Sequence, residues 1–404
     1  MSDEDQFTSE NDQFTEVENV SWVGRIGGAF KGILVGLIMF VAAFPLLFWN
    51  EGRSVKEYKT LQEGGGAVVS IASDRIDPAK AGLLIHVTGK ADSGASLKDS
   101  VFGVSAKALK LKRSVEMYQW HEKSQSKTEK ELGGGTKTVT TYTYNQEWSD
   151  KLIHSSNFKH PNGHQNPGAI PYESTQIVAD KVTLGAFTLS SSLVGMINNY
   201  ESLPVSDDTP LPAGLRNKAK LLDGGFYFGN DPATPQVGNV RVKFSVAKPT
   251  EVSIVAKQIE TTFEPYFAKT GGSIELLQTG IFSAEGMIQK AQDDNILLTW
   301  ILRLAGFVLL LIGINLILRP LSVFADILPM LGNIVDAGTG FISFLLAALV
   351  ACIVIAVAWL AYRPLLSGGL IAAALALAVA FKMKLRPAAT PLKIIPQPPP
   401  IPKS

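Results

Sequence analysis

The chain alternates between long apolar runs and one long polar stretch. The first apolar run, residues 29–49, is long enough to cross a hydrocarbon core about 30 Å thick. Bulky residues end this run where a signal peptidase requires small ones, so we expect an uncleaved anchor. Three further apolar runs follow the polar stretch of residues 50–295; they cover residues 296–318, 341–362 and 365–381. The pattern predicts an integral membrane protein with four transmembrane α-helices, one N-terminal and three C-terminal.

The polar stretch predicts a large β-rich α+β extramembrane domain between the first and second transmembrane helices. Residues 114–120 and 138–144 are rich in β-branched and aromatic residues, and the glycine triplet between them predicts a long antiparallel hairpin. Residues 240–246 alternate strictly between apolar and polar side chains, and we expect residues 251–255 to form the neighbouring strand. Ser283 is a candidate N-cap for a helix that continues into the second transmembrane segment.

The flanking charges predict the sidedness of the helices. Residues 382–404 carry lysine and arginine but no acid, so this proline-rich tail is expected in the cytoplasm. Four crossings then place the acidic tail of residues 1–28 there too, and the domain faces the periplasm or an endomembrane lumen. Residues 319–340 become a cytoplasmic interfacial amphipathic segment kinked at Pro329, with a plain connector as the alternative. We expect a bacterial inner (cytoplasmic) membrane.

Composition and charge exclude several function classes. The net charge of +1 gives no global field that would favour nucleic acid. The single cysteine, Cys352, cannot form an intrachain disulfide or a Cys-ligated zinc cluster. His154, His160 and His164 lie in a loop with proline and glycine, where we expect ordinary loop histidines rather than a metal site. Without a phosphate loop, nucleophile elbow or dinucleotide fingerprint, we assign no catalytic or cofactor-binding residue and predict a protein that is not an enzyme.

Four polar residues at or within the apolar runs are candidate interface residues. An arginine inside a membrane costs about 2.5–3.5 kcal/mol on insertion scales. We expect Arg303 to extend toward Asp293–Asp294 or phospholipid phosphates, with pairing to Glu51 and a transport role as alternatives. Asn315 favours an interhelical hydrogen bond over an ion site. Glu51 and Arg53 lie where the first run ends, which favours a structural boundary role over a ligand site.

The fourth apolar run favours close helix–helix packing. Ala372, Ala376 and Ala380 recur every four residues and would line one stripe of a helix. We expect this stripe to support a homo-oligomer; packing on the third segment of the same chain is the alternative.

Three motifs carry a resemblance to a known family. They are residues 48–53, residues 113–120 followed by 142–148, and residues 319–321 followed by 325–326 and 328–332. In this order, around one large loop, they resemble the LUMA family, also called transmembrane protein 43. The resemblance implies membrane proteins of the endoplasmic reticulum and inner nuclear membrane that self-associate, and it supplies no catalytic residues. The chain resembles a prokaryotic relative, for which the nuclear role does not carry over.

These observations favour a non-enzymatic membrane-organising scaffold. It would self-associate, contact membrane lipid, and present its extracytoplasmic domain to itself or to other membrane or envelope proteins. The alternative is a transporter or channel subunit formed by oligomerised transmembrane helices. The small number of polar residues within the apolar runs argues against that alternative, because a pore needs a polar lining.

Overall fold

The computed structural model describes residues 6–8, 13–327, 329–365 and 367–369. Its helices are α1 (Trp22–Ala67), α2 (Ser191–Met196), α3 (Ala213–Arg216), α4 (Ala284–Ala325) and α5 (Pro329–Tyr362), with short 3-10 helices at Pro78–Lys80 and Ser155–Asn157. Three of these helices, α1, α4 and α5, are long and apolar enough to cross a membrane. The predicted fourth segment, residues 365–381, lies almost wholly outside the described residues, and so do Ala372, Ala376 and Ala380.

The region between α1 and α4 is rich in β-structure, as the sequence predicts. The described strands are β1 (Gln6–Thr8), β2 (Gln13–Val20), β3 (Val69–Ile71), β4 (Leu84–Asp92), β5 (Ser96–Lys98), β6 (Ser105–Lys107), β7 (Lys110–Lys130), β8 (Thr136–Ser149), β9 (Thr175–Val178), β10 (Thr183–Leu184), β11 (Phe187–Thr188), β12 (Glu201–Leu203), β13 (Ala219–Leu222), β14 (Gly225–Phe228), β15 (Val240–Ala247), β16 (Thr250–Ile259), β17 (Thr262–Glu264), β18 (Tyr266–Phe267), β19 (Ser273–Ile274) and β20 (Leu276–Thr279).

Two large sheets share one apolar core. The first has the order β1-β2-β8-β7-β15-β14-β13, with β12 on β15 and β9 on β7. The second has the order β11-β10-β4-β16-β17, with β20 on β16 and β3 parallel to β4. Val242 of the first sheet and Ile254 of the second are both fully buried in the core between them. Such alternating apolar residues give each sheet one buried face.

The predicted pairing of residues 240–246 with residues 251–255 is wrong. Both segments are strands, but β15 pairs with β7 and β14, whereas β16 pairs with β4 in the other sheet. The connection through Lys248 and Pro249 therefore carries the chain from one sheet to the next. The second face of β16 also packs: Val255 joins Leu61 of α1 and Met287 of α4 in a separate buried cluster.

The predicted long hairpin is confirmed, and an unpredicted third strand extends it. β7 and β8 pair from Met117 with Ser149 to Lys130 with Thr136. β2, from the N-terminal tail, pairs with the outer edge of β8, so that Val20 lies opposite Thr136. We call this three-stranded unit (β2, β8 and β7 from Met117 onward) the ribbon.

Helices α1 and α4 pack closely because small residues meet along them. A Cβ added at Gly36 would lie 2.7 Å from the carbonyl oxygen of Gly313, and one added at Gly306 would lie 2.4 Å from Leu47 Cδ2. Leu310 and Ala351 join the same buried cluster, which extends the packing to α5. Ser283 caps α4 by accepting a hydrogen bond from the Gly286 amide, so its predicted N-cap role is confirmed.

The predicted interfacial segment, residues 319–340, is not a separate element. α4 continues to Ala325, and α5 begins at Pro329 after a short connection. Pro329 therefore starts a helix rather than kinking one. The first helical position tolerates proline because its amide would have no intrahelical partner.

We expect Gly36→Ala to destabilise the full chain in detergent, by about 1–3 kcal/mol, because the added methyl group overlaps the α4 backbone. Gly28→Ala is the matched control, since nothing lies within 4 Å of its added Cβ. Alanine is the better helix former, so the control should keep or raise the thermal unfolding midpoint. Equal midpoints for the two variants would contradict the close α1–α4 contact.

Candidate functional site

The candidate site lies where α1, α4 and α5 meet at the end of the helical bundle that faces the domain. Glu51 of α1 is completely buried there. Its Oε1 accepts a hydrogen bond from Arg303 Nε at 2.7 Å, and its Oε2 accepts from Arg303 Nη2 at 2.9 Å and from Trp359 Nε1 at 2.8 Å. One carboxylate thus joins three helices, and the two-bond geometry with arginine is the strong form of this pair.

The expectation that Arg303 extends toward Asp293–Asp294 is wrong, and the alternative partner, Glu51, is the one observed. Asp294 lies nine residues before Arg303, half a turn away around the helix, so the two side chains point in different directions. Asp294 pairs instead with Lys290 on the exposed face. The Arg303 guanidinium also stacks on the Trp300 ring, with its Cζ 4.7 Å from the ring centroid.

A second, uncharged set of partners holds Arg53. Its Nη1 donates to Asn295 Oδ1 at 2.9 Å and its Nη2 to Thr299 Oγ1 at 3.1 Å. Asn50 is fully buried and donates to the Thr299 carbonyl oxygen at 3.0 Å. Glu51 and Arg53 therefore connect α1 to α4 and do more than mark the end of an apolar run.

Asn315 forms no interhelical side-chain hydrogen bond within the part of the chain that the structure describes. Its side chain is exposed on α4 and has no side-chain hydrogen bond to another described residue. The three loop histidines lie in the domain. Among them, the ring of His164 stacks on Tyr144 at 4.0 Å and meets Trp120 edge-on at 4.7 Å. Within the described part of the chain, no three potential ligands are grouped closely enough to hold a metal ion.

A charge cluster that the sequence did not predict lies at the opposite end of the bundle. Asp326 is fully buried between Arg25 and Lys130, whose Nζ is 2.7 Å from Asp326 Oδ1. Lys130 also contacts Asp336. Burial would lower the pKa of Lys130, but the hydrogen bonds to the two carboxylates outweigh it and raise that pKa. Trp22 adds a hydrogen bond to the Val323 carbonyl oxygen at 2.8 Å. We call Arg25, Lys130, Asp326 and Asp336 the tip cluster.

The tip cluster conflicts with the predicted placement of residues on the two sides of the membrane. Lys130 belongs to the domain placed outside the membrane, whereas Asp326 belongs to the segment placed in the cytoplasm. Because these two residues are in direct contact, they cannot lie on opposite sides of a bilayer. From Met117 to Lys130 the ribbon extends about 43 Å, and α1 covers about the same length from Arg25 to Ser54. The ribbon is therefore long enough to span the apolar part of α1.

Comparison with known proteins decides the family. A family model described as Transmembrane protein 43 matches residues 117–364. The chain belongs to the transmembrane protein 43 family. It is 35% identical to Transmembrane protein 43 of Homo sapiens over 372 residues, which cover 89% of this chain and 92% of that protein.

Two further relatives cover similar shares of the chain. Transmembrane protein 43 of Mus musculus is 34% identical over 367 residues, which cover 88% of this chain and 90% of that protein. The Transmembrane protein 43 homolog of Drosophila melanogaster is 32% identical over 357 residues, or 84% of this chain and 91% of that protein. No solved structure matches the chain. The predicted family resemblance is confirmed, and this transmembrane protein 43 family member is a membrane protein.

We expect Glu51→Gln to lower the free energy of unfolding by about 3–5 kcal/mol, because it leaves Arg303 buried without a counter-charge. The double variant Glu51→Gln/Arg303→Gln should lose less than the sum of the two single variants. Thermal or chemical unfolding of the full chain in detergent measures both effects. Asp294→Asn is the control, and it should change little because its ion pair is exposed. Additive losses in the double variant would show that the pair is not coupled.

Proposed function

We propose that this protein is a non-enzymatic membrane-organising scaffold that self-associates and presents its β-rich domain to other membrane or envelope proteins. The observation that supports this best is the continuity of α1 and α4 from the apolar bundle into the domain. Leu61 of α1 and Met287 of α4 pack directly on Leu84 and Val255 of the second sheet. A domain held by two continuous helices keeps a fixed orientation to the membrane surface, which suits a presenting role.

Three assignments made from the sequence remain predictions. These are a bacterial inner membrane, cytoplasmic termini, and homo-oligomers formed through the fourth apolar segment. With cytoplasmic termini, the Lys130 end of the ribbon lies on the cytoplasmic side beside Asp326. Small side chains favour such contacts in lipid because they let helix backbones approach closely. Membrane lipid is the surrounding partner, and no nucleic acid is expected.

We expect Ala376→Leu to dissociate the oligomer in mild detergent, because the larger side chain would separate helices that meet along the Ala372–Ala376–Ala380 stripe. Ala374→Leu is the matched control, since helical spacing places residue 374 on the other face. Mass measured by light scattering with size exclusion gives the result. A wild-type chain that is monomeric at all concentrations would refute self-association, and equal dissociation by the two variants would refute the role of the stripe.

The second candidate is a channel subunit, and the ribbon is the observation that favours it. Its strands carry polar pairs such as Ser126 with Thr140 and Thr128 with Thr138, each with hydroxyl oxygens 2.9 Å apart. Irregular or open polar backbone at membrane depth is tolerated only inside protein or along a water-filled cavity. Several copies with their ribbons inward and their apolar helices outward would enclose such a cavity.

A thiol-labelling experiment separates the two candidates. Ser126→Cys is introduced into a Cys352→Ser chain, which is then reconstituted in liposomes. If the ribbon lines a conducting path, ion flux should occur and fall several-fold after reaction with a membrane-impermeant maleimide, because the adduct narrows the path. Ser96→Cys, exposed on β5 in the domain, is the control and should leave flux unchanged. Absence of flux, or flux insensitive to labelling at residue 126, would rule the channel out.

A further inference from the structure

A cavity of about 690 Å³ opens where α1 leaves its apolar run on the side of the domain. Its upper part, toward the domain, is lined by Arg53, Lys56 and Lys59 of α1. Its lower part, toward the apolar run, is lined by Trp49 and Tyr362. A neighbouring cavity of about 660 Å³ shares Lys59 and Tyr362 and adds Arg363. The two cavities thus form one cationic recess at the end of the bundle.

The positive charge of this recess is not neutralised within the described part of the chain. Lys56 and Lys59 are exposed and have no ion pair with a described residue, and Arg53 is held only by uncharged partners. Glu57, which lies between the two lysines in sequence, lines neither cavity, and the next acids along α1 are engaged elsewhere. Glu51 is paired with Arg303, and Glu63 accepts a hydrogen bond from the Lys269 amide at 3.0 Å.

The tip cluster shows the opposite arrangement. There, two basic and two acidic side chains contact one another directly. An added anion would gain little at that end, because the carboxylates of Asp326 and Asp336 already contact the basic side chains. At the recess, by contrast, three basic side chains converge without a carboxylate among the cavity-lining residues. The two ends of the bundle therefore differ in their capacity to hold an anionic group.

The lower part of the recess is built for an apolar group. Trp49 is 56% exposed, and Tyr362 lies against Phe48 with ring centroids 5.3 Å apart. Gly52 allows this placement, because a Cβ there would lie 2.6 Å from Tyr362 Cζ. Tryptophan and tyrosine at the end of an apolar span occupy the level of the lipid headgroups. The basic side chains on the domain side of these rings therefore lie at the level of the bilayer phosphates.

We propose that this recess binds an anionic phospholipid, with its phosphate group at Arg53, Lys56 and Lys59 and its acyl chains against Trp49 and Tyr362. The proposal gives a specific site to the lipid contact in the proposed function, but it does not depend on self-association or on conduction. Basic recesses between transmembrane helices are a recurrent way to recognise anionic headgroups. A soluble phosphate would satisfy the cations alone and would leave the aromatic part of the recess unused.

Binding of fluorescent phosphatidylglycerol to the full chain, in non-ionic detergent and followed by anisotropy, tests the proposal. Lys56→Gln/Lys59→Gln should raise the dissociation constant about tenfold or more, because two headgroup contacts are lost. The matched control is Lys98→Gln/Lys107→Gln, which removes the same charge from two exposed domain residues and should change the constant less than about twofold. Fluorescent phosphatidylcholine should bind the wild-type chain much more weakly.

Three outcomes would overturn the proposal. Equal losses in the two double variants would show attraction to overall charge rather than a site. Equal affinity for phosphatidylcholine would remove the role of the anionic headgroup. Displacement of the lipid by inorganic phosphate alone would show that the recess takes a soluble anion. Unchanged thermal unfolding midpoints of both variants exclude misfolding as the cause, and an unchanged oligomer mass separates this result from the self-association test.

Discussion

The fold depends on one continuous contact between α1 and α4. It begins where Trp22 donates a hydrogen bond to the Val323 carbonyl oxygen. The two backbones touch at Gly36 and Gly313, and the contact continues through Leu47 and Gly306. Beyond the Glu51–Arg303 pair it ends in the cluster that contains Leu61 and Met287 beneath the second sheet. Within lipid, helices gain nothing from the hydrophobic effect when they associate, so close packing of small residues must hold them. Because neither helix breaks before the domain, this packing also fixes where the domain lies.

Apolar helices can slide past one another at little cost, and the buried polar residues remove that freedom. Glu51 accepts hydrogen bonds from both α4 and α5, and these are satisfied together in only one register of the three helices. The attraction within such a pair roughly offsets the cost of removing both charges from water. Its main effect is therefore on specificity rather than on stability. The bonds from Asn50 and Arg53 to Thr299 reinforce the same register one turn away.

Local features of the sequence predicted the elements that local interactions determine. The apolar runs marked the three described helices that are long and apolar enough to cross a membrane, alternation marked β15, and Ser283 marked the start of α4. Contacts between distant residues were beyond such reasoning. The intersheet connection at Pro249 looks like a hairpin turn in sequence, and the partner of Arg303 was decided by which acid lay on the facing helix. Nothing local shows that Lys130 meets Asp326, almost two hundred residues away.

The charged residues are arranged differently at the two ends of the bundle, and the elements that carry them explain the difference. At the tip cluster, Lys130 is brought by a strand and Arg25 by a helix, so two elements with different paths are joined only if carboxylates balance both cations. At the recess, Arg53, Lys56 and Lys59 lie on one helix, and Arg53 is held by the uncharged side chains of Asn295 and Thr299, so no carboxylate is needed to join them. Their charge can therefore remain available to a ligand. In a cluster that stabilises the fold, basic and acidic side chains neutralise one another. A site that recognises an anion must keep its positive charge without a carboxylate partner, and Arg53, Lys56 and Lys59 meet this condition.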